Sequence, residues 1–177
     1  MKTPAPIRRQ RGLTLIEACI VLVICALVLS TAIPSFKQAR ERRHLEGLAA
    51  QLRTDIAHAR SLAVARNENL RLAFTSSACY VLHTGPSGAC QCGSDGSASC
   101  KGDATLLHHV TIDPGTGVTL SANSSSMLFD AERGTVTPTG TIKLTAAGGP
   151  AIHSVVNIMG RVRNCSPAPA LPGYAKC

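Results

Sequence analysis

Tryptophan is absent from this chain of 177 residues, and only three phenylalanines and two tyrosines occur. A core with so few large aromatic anchors must rest on Val, Leu, Ile and Ala. Acidic side chains run out as well. After Glu132 there is no Asp or Glu, while Arg133, Lys143, Arg161, Arg163 and Lys176 continue the positive charge. Catalytic signatures are also missing. There is no Gly-x-Ser-x-Gly, no His-Glu-x-x-His, no glycine pattern of nucleotide-binding spacing and no clustered pair of carboxylates. Glu41 and Glu46 fall on a helical stretch and Asp95 and Asp103 in a loop, so nothing proposes a catalytic constellation. The chain reads as a non-enzyme that needs no cofactor.

Two things are abundant instead. The formal charge is +8, but four of the positive residues, Lys2, Arg8, Arg9 and Arg11, crowd the first eleven positions. Without that segment 14 basic residues stand against 10 acidic ones, so overall charge is weak support for a nucleic-acid partner. Eight cysteines are present. Cys19 and Cys25 lie in an apolar run. The other six, Cys79, Cys90, Cys92, Cys100, Cys165 and Cys177, form an even set in a loop-rich region, as expected of disulfides made in an oxidising compartment.

The apolar run decides the class. Leu13 to Phe36 reads LTLIEACIVLVICALVLSTAIPSF. At about 1.5 Å per residue it extends roughly 36 Å, enough for a bilayer core. The basic flank before it stays cytoplasmic and the remainder is exported. Glu17 is the anomaly, because a carboxylate inside a membrane segment costs about 2.5–3.5 kcal/mol on insertion scales and normally has a function. Cleavage between Gly12 and Leu13 would create an amino terminus four residues before it, able to pair with Glu17 of a neighbouring copy.

RGLTLIE followed by an apolar helix with Pro34 inside it resembles the type IV prepilin signature. The resemblance implies cleavage after Gly12 by a prepilin peptidase, N-methylation of the new first residue, and packing of the helix into a filament core, with Glu17 aiding subunit docking. Leu13 departs from the family, which most often has Phe there. The partners implied are other major and minor pilins. The location implied is a single pass through the bacterial inner membrane with a periplasmic globular domain, and then the pilus at the cell surface.

The expected organisation is a leader, 1–12, a transmembrane and filament-core helix, 13–36, an amphipathic helix, 37–69, and a β-rich domain, 70–177, with a C-terminal tail, 160–177. Leu45, Leu48, Leu52, Ile56, Ala59 and Ala63 recur at spacings of three and four and make one apolar stripe. The arginines of this stretch, Arg53 and Arg60 among them, lie mostly off the stripe and read as a solvated face. Anchor and stripe are expected to form one helix bent near Pro34. After Asn69 short β-like runs follow at 70–74, 79–83, 105–112, 117–120, 127–130, 140–146 and 153–159, separated by Gly, Ser, Asn, Pro and Thr. One long helix followed by several short strands predicts an α+β fold with the helix packed on antiparallel sheets. The segment LAAQLRTDIAHARSLAVARNENLRLAF also resembles the FimT/GspH branch of the pilin family, which implies a pilin-like fold with two antiparallel sheets.

Residues 84–103 form a long Gly/Ser-rich loop. Two staples are expected among Cys79, Cys90, Cys92 and Cys100. Three pairings are possible, of which a direct Cys90–Cys92 bridge is the most strained. Zinc would want paired motifs with two to four residues between ligands, which Cys-x-Cys with isolated partners does not supply. His108 and His109 are adjacent on a strand pattern and point to opposite faces, so they do not chelate together. Cys165 and Cys177 bracket a proline-rich tail, and a bridge there would be worth about 3 kcal/mol.

The remaining feature is IMGRVRNC, 158–165. Extended backbone puts Arg161 and Arg163 on one face roughly 6–7 Å apart. That is comparable to successive phosphates along a strand, and guanidinium groups grip phosphate through paired donors. On residue type alone this is a solvated strand end. FimT-like minor pilins of natural transformation, however, carry a Gly-Arg-x-Arg motif near the C-terminus as their DNA contact, and Gly160-Arg161-Val162-Arg163 resembles it in type, order and place. The resemblance implies DNA binding through phosphates, with Gly160 allowing close backbone approach. Lys143, Lys176 and Arg133 are candidates to extend the basic surface, and Tyr174 is a candidate to stack on a base. The competing reading is purely structural: a minor pilin, or a pseudopilin of type II secretion, that primes or caps a filament.

Overall fold

A computed structural model describes residues 14–93 and 96–177, the side chains of 31–35 excepted. The prepilin-processing pair, Gly12 and Leu13, lies outside the described residues. The chain divides into two units, Met1–Gln38 and Ala39–Cys177.

Helix α1 is assigned over Leu15–Arg66 and so contributes to both units. Its start has a sequence reason. Thr14 precedes the first helical residue, and its Oγ1 accepts a hydrogen bond from the Glu17 N–H at 3.3 Å. Glu17 is acidic in the first turn, where a carboxylate favours the positive end of the helix dipole. Glu17 therefore has a local role at the helix start besides the docking role that the prepilin resemblance implies. Among the described residues no helix is long and apolar enough to cross a membrane. The apolar run with described side chains is 15–30, about 24 Å of helix, against about 30 Å of hydrocarbon. The expected span, 13–36, includes Leu13 and the side chains of 31–35, which lie outside the description; Pro34, the expected bend, is among them.

The second unit holds the core. Along α1 the buried positions are Leu45, Ala49, Leu52, Ile56, Ala59 and Ala63, while Leu48 is only partly buried. The stripe thus runs through Ala49, one position on from Leu48. The helix ends in a Schellman-type cap. Asn67 takes φ +50, its N–H donates to the Val64 carbonyl, and the Glu68 N–H donates to the Ala63 carbonyl. Asparagine tolerates the left-handed conformation that this stop requires.

Twelve strands follow among the described residues. The first sheet contains β1 (Leu70–Ser76), β2 (Cys79–Thr84), β5 (Leu106–Thr111), β7 (Ser126–Phe129) and β8 (Val136–Thr137), in the order β5-β2-β1-β7-β8. The second contains β6 (Val118–Ala122), β9 (Gly140–Ala146), β10 (Ala151–Val156), β11 (Val162–Ser166) and β12 (Ala175–Lys176), in the order β12-β11-β10-β9-β6. All neighbours are antiparallel except β11 and β12. One apolar cluster joins the helix stripe to both sheets, through Leu72, Leu82 and Phe129 of the first and Leu120, Ile142 and Ile152 of the second. The expected α+β arrangement of a long helix on antiparallel sheets is the one observed.

The cysteine loop is more ordered than its composition suggests. β3 (Cys90–Cys92) and β4 (Ala98–Cys100) pair as a hairpin. Cys90 faces Cys100 in register and the two are bonded, while Cys79 bonds Cys92. The hairpin packs on the first sheet through Ala73, Cys79, Val81 and Cys90. This explains why β2 is buried along its whole length, with no polar alternation. One face meets the helix-side core and the other meets the hairpin. Cys19 and Cys25 remain free thiols.

Candidate nucleic-acid interface

The hairpin that carries Arg161 and Arg163 is built by its turn. β10 ends at Val156 and β11 begins at Val162. The turn between them, rather than strand, occupies 157–160. Asn157 organises it: its Oδ1 accepts from the Met159 and Arg161 N–H groups at 3.1 and 2.9 Å, and its carbonyl accepts from the Gly160 N–H at 2.9 Å. An asparagine that bonds its own downstream backbone is a turn former. Gly160 sits at φ +70, where a side chain is strained.

Gly160 also has a structural role. A Cβ added there would meet Arg60 Cδ at 3.0 Å and Val136 Cγ2 at 3.2 Å. Arg60 is itself held, its Nε donating to the Gly134 carbonyl at 2.7 Å. Glycine is favoured there by the turn and by the close approach of Arg60 and Val136 on the side where a Cβ would stand.

The strand after the turn alternates as its sequence predicts. Val162 is buried in the core, while Arg161 and Arg163 are exposed on either side of it. β12 pairs with β11 only at Cys165 and Ser166, so the outer edge of β11 at 162–164 has no strand beside it. A groove of about 730 Å³ runs along that edge. Arg161, Val162, Arg163 and Asn164 form one wall. Ala50, Arg53 and Thr54 of α1 face them, and Gly173, Tyr174 and Ala175 of the tail close one side. Among the described residues no acidic residue lines it. Among the described residues, none of Arg53, Arg161 and Arg163 has an ion-pair or side-chain hydrogen-bond partner.

The tail wall is fixed at three points. Cys165 bonds Cys177, with Cα atoms 5.0 Å apart. Arg42 Nη2 donates to the Pro172 carbonyl, and Ser166 Oγ accepts from the Leu171 N–H. Tyr174 lies partly against the core. Burial pushes its phenol pKa up, the Glu46 carboxylate adds to the rise, and Arg42 partly offsets it.

The other candidates fall outside the groove. Lys143 is exposed on β9, opposite His153 of β10. Because Arg163 pairs with Val155 and Val155 with Thr141, Lys143 shares the outer face of the sheet with Arg163, two strands away. His153 has a lowered pKa, first through burial and then through the Lys143 charge. Lys176 is exposed and pairs with Ser166, on the opposite face from Arg163. Arg133 is exposed in the turn after β7, its N–H donating to Asp130 Oδ1. Arg53 lines the groove and was not among the residues that the sequence singled out. Its signal was only its position, one residue after the buried Leu52 and four after the buried Ala49, which places it at the margin of the buried face.

Histidines and acids elsewhere form local contacts. His108 and His109 are both exposed, and His108 Nε2 lies 3.7 Å from Asp55 Oδ2. Among the described residues no group of three His, Cys, Asp or Glu could hold a metal ion.

Comparison with known proteins decides the family. Residues 48–160 match the family described as type II transport protein GspH, and residues 7–33 match the prokaryotic N-terminal methylation motif. The chain belongs to the GspH family of minor pilins and pseudopilins. It is a pilin-type subunit rather than an enzyme. Its fold is similar to that of the type IV minor pilin FimU of Pseudomonas aeruginosa strain PAO1, with a TM-score of 0.52, 17% identity, and coverage of 73% of this chain and 96% of that one. The minor pseudopilin EpsH of the type 2 secretion system of Vibrio cholerae matches with a TM-score of 0.49 and 11% identity, over 70% of this chain and 98% of that one. No curated protein matches the chain.

Proposed function

We propose that this GspH-family subunit is a minor type IV pilin that binds DNA, without sequence preference and through phosphates, during natural transformation. The observation that carries the reading is the pair Arg161 and Arg163 at the start of β11: exposed, their guanidinium groups without partners among the described residues, and lining a groove in which none of the described residues is acidic. Two unpaired guanidinium groups held side by side repel each other, and a polyanion relieves that repulsion. The charge of the groove comes from arginines alone, and contact with backbone phosphates is the sequence-independent chemistry that such charge supports.

The methylation motif and the family support the rest of the reading. A prepilin peptidase cuts after Gly12, Leu13 becomes the first residue and is methylated, and the apolar segment 13–36 anchors the subunit in the inner membrane before assembly. Glu17 then guides docking onto other major and minor pilins, and the subunit reaches the pilus and cell surface. A second reading, a subunit that only primes or caps a pilus or a type II secretion pseudopilus, is favoured by the family match itself, since that match covers 48–160 and stops before Arg161.

DNA titrations separate the two. Log affinity of the wild-type protein for duplex DNA should fall steeply with log salt. The Arg161→Ala/Arg163→Ala variant should lose about two units of that slope, roughly one per contact removed. Unchanged affinity together with an unchanged slope would remove the DNA reading and leave the structural one.

A further inference from the structure

We propose that Arg53, on the helix wall of the groove, is a third phosphate-binding residue, so that one nucleic-acid strand is held between α1 and β11 rather than lying on β11 alone. This rests on the DNA reading above and specifies how the strand is seated.

Three observations on Arg53 carry it. First, its guanidinium is uncommitted among the described residues, as are those of Arg40, Arg43 and Arg66, while three other arginines are engaged. Arg42 bonds Glu46 and Pro172, Arg60 bonds Gly134, and Arg71 bonds Ser126. Arg53 is exposed and has no partner among the described residues. Second, it shares one groove with two other unpartnered arginines. Three positive groups converging with no carboxylate between them is unfavourable in the free protein, and it becomes favourable when an anion enters. Third, the surroundings leave room. Its groove neighbours Ala50, Thr54, Gly173 and Ala175 are small, so the space between the walls stays open. A strand laid there meets guanidinium groups from both sides, which fixes its path more tightly than a single row would.

The tail is part of the same device. Gly173–Ala175 close one side of the groove, and the Cys165–Cys177 bond with the Arg42–Pro172 hydrogen bond holds them there.

The test uses the full chain in a non-ionic detergent and a short fluorescein-labelled duplex of mixed sequence, titrated across a range of salt concentrations. Four variants are compared with wild type: Arg53→Ala, Arg53→Glu, Arg66→Ala and Arg161→Ala/Arg163→Ala. Arg66 is an exposed helix arginine outside the groove, so its variant measures the loss caused by general charge alone. Arg53→Ala should lose about one unit of salt slope, Arg66→Ala none, and Arg53→Glu should bind more weakly than Arg53→Ala. Arg53→Ala behaving like Arg66→Ala, while the double variant loses its two units, overturns the inference and leaves the DNA reading standing. A double variant that binds like wild type overturns the DNA reading and this inference with it. Thermal unfolding of each variant keeps loss of fold apart from loss of contact; Arg53 makes no bond whose removal should lower the midpoint.

Discussion

Arg42 reaches from the helix to the C-terminal tail, its Nη2 donating to the Pro172 carbonyl at 2.7 Å across 130 residues of sequence. Its Nε meanwhile holds Glu46 at 2.8 Å. This one side chain ties the tail, and hence a wall of the arginine groove, to α1. Arg42→Ala should cost about 0.5–1.5 kcal/mol, as loss of a partly exposed hydrogen bond does. Amide exchange at Leu171 and Tyr174 should accelerate while that of β9 and β10 stays unchanged. Unaltered exchange in the tail would mean that the disulfide and the Ser166–Leu171 hydrogen bond hold it without Arg42.

The disulfide is the stronger restraint. Cys165 and Cys177 close a loop of sequence separation 12. Replacing both with Ser should lower stability by about 2–4 kcal/mol and weaken DNA binding by removing the fixed wall. Thermal unfolding and DNA titration of the same sample check this. A lower midpoint with wild-type affinity would separate the tail from the site.

Gly160 offers a test of what its glycine is for. Gly160→Ala places a Cβ at φ +70, 3.0 Å from Arg60 Cδ, and the left-handed conformation alone costs about 1–2 kcal/mol. The variant should therefore unfold at lower temperature even without DNA. Wild-type stability with weakened DNA binding would return Gly160 to the role of making room for the ligand.

Tyr80 gives the alkaline limit of the fold. Its hydroxyl donates to Asp55 Oδ2 at 2.6 Å. Burial raises its pKa well above the ordinary tyrosine value of 10.0, and the hydrogen bond and charge of Asp55 add to the rise. The folded state therefore holds this proton more tightly than the unfolded chain does. The stabilisation is complete below about pH 10 and is lost as pH rises beyond it, because the unfolded chain ionises first. Denaturant unfolding from pH 8 to 11 should show stability falling above about pH 10. Tyr80→Phe should be less stable at pH 8, by about 1–3 kcal/mol for the carboxylate left without its donor, and its decline above pH 10 should be shallower. An equally steep decline in Tyr80→Phe would assign it to another group.

Much of this architecture was legible in the sequence because it rests on local pattern. The stripe of Leu45, Leu52, Ile56, Ala59 and Ala63 has helical period, and the alternation of 140–146 has strand period. The Arg161–Val162–Arg163 alternation needs nothing beyond an extended backbone. What escaped depended on contacts between distant segments. The β3–β4 hairpin has a Gly/Ser-rich composition that reads as loop, and it is made by two disulfides whose partners no spacing rule could choose. β8 and β12 are two-residue strands that exist only because longer strands lie beside them. Arg53 looked like any solvated helix arginine, because its value comes from facing β11, and nothing in 48–54 announces what lies across the groove. Gly160 was legible as a special glycine. Its neighbours Arg60 and Val136, from two other elements, decide what it is special for.

Whether the paired arginines serve DNA uptake in the cell is the central question. The direct measurement is transformation frequency in a strain whose only copy of this protein carries Arg161→Ala/Arg163→Ala, with filaments counted and secretion assayed in the same culture. The account predicts normal filaments and secretion with transformation reduced by at least about tenfold, the effect of roughly 1.4 kcal/mol of lost binding. Normal transformation in that strain, or filaments lost along with it, would contradict the account and favour a purely structural subunit.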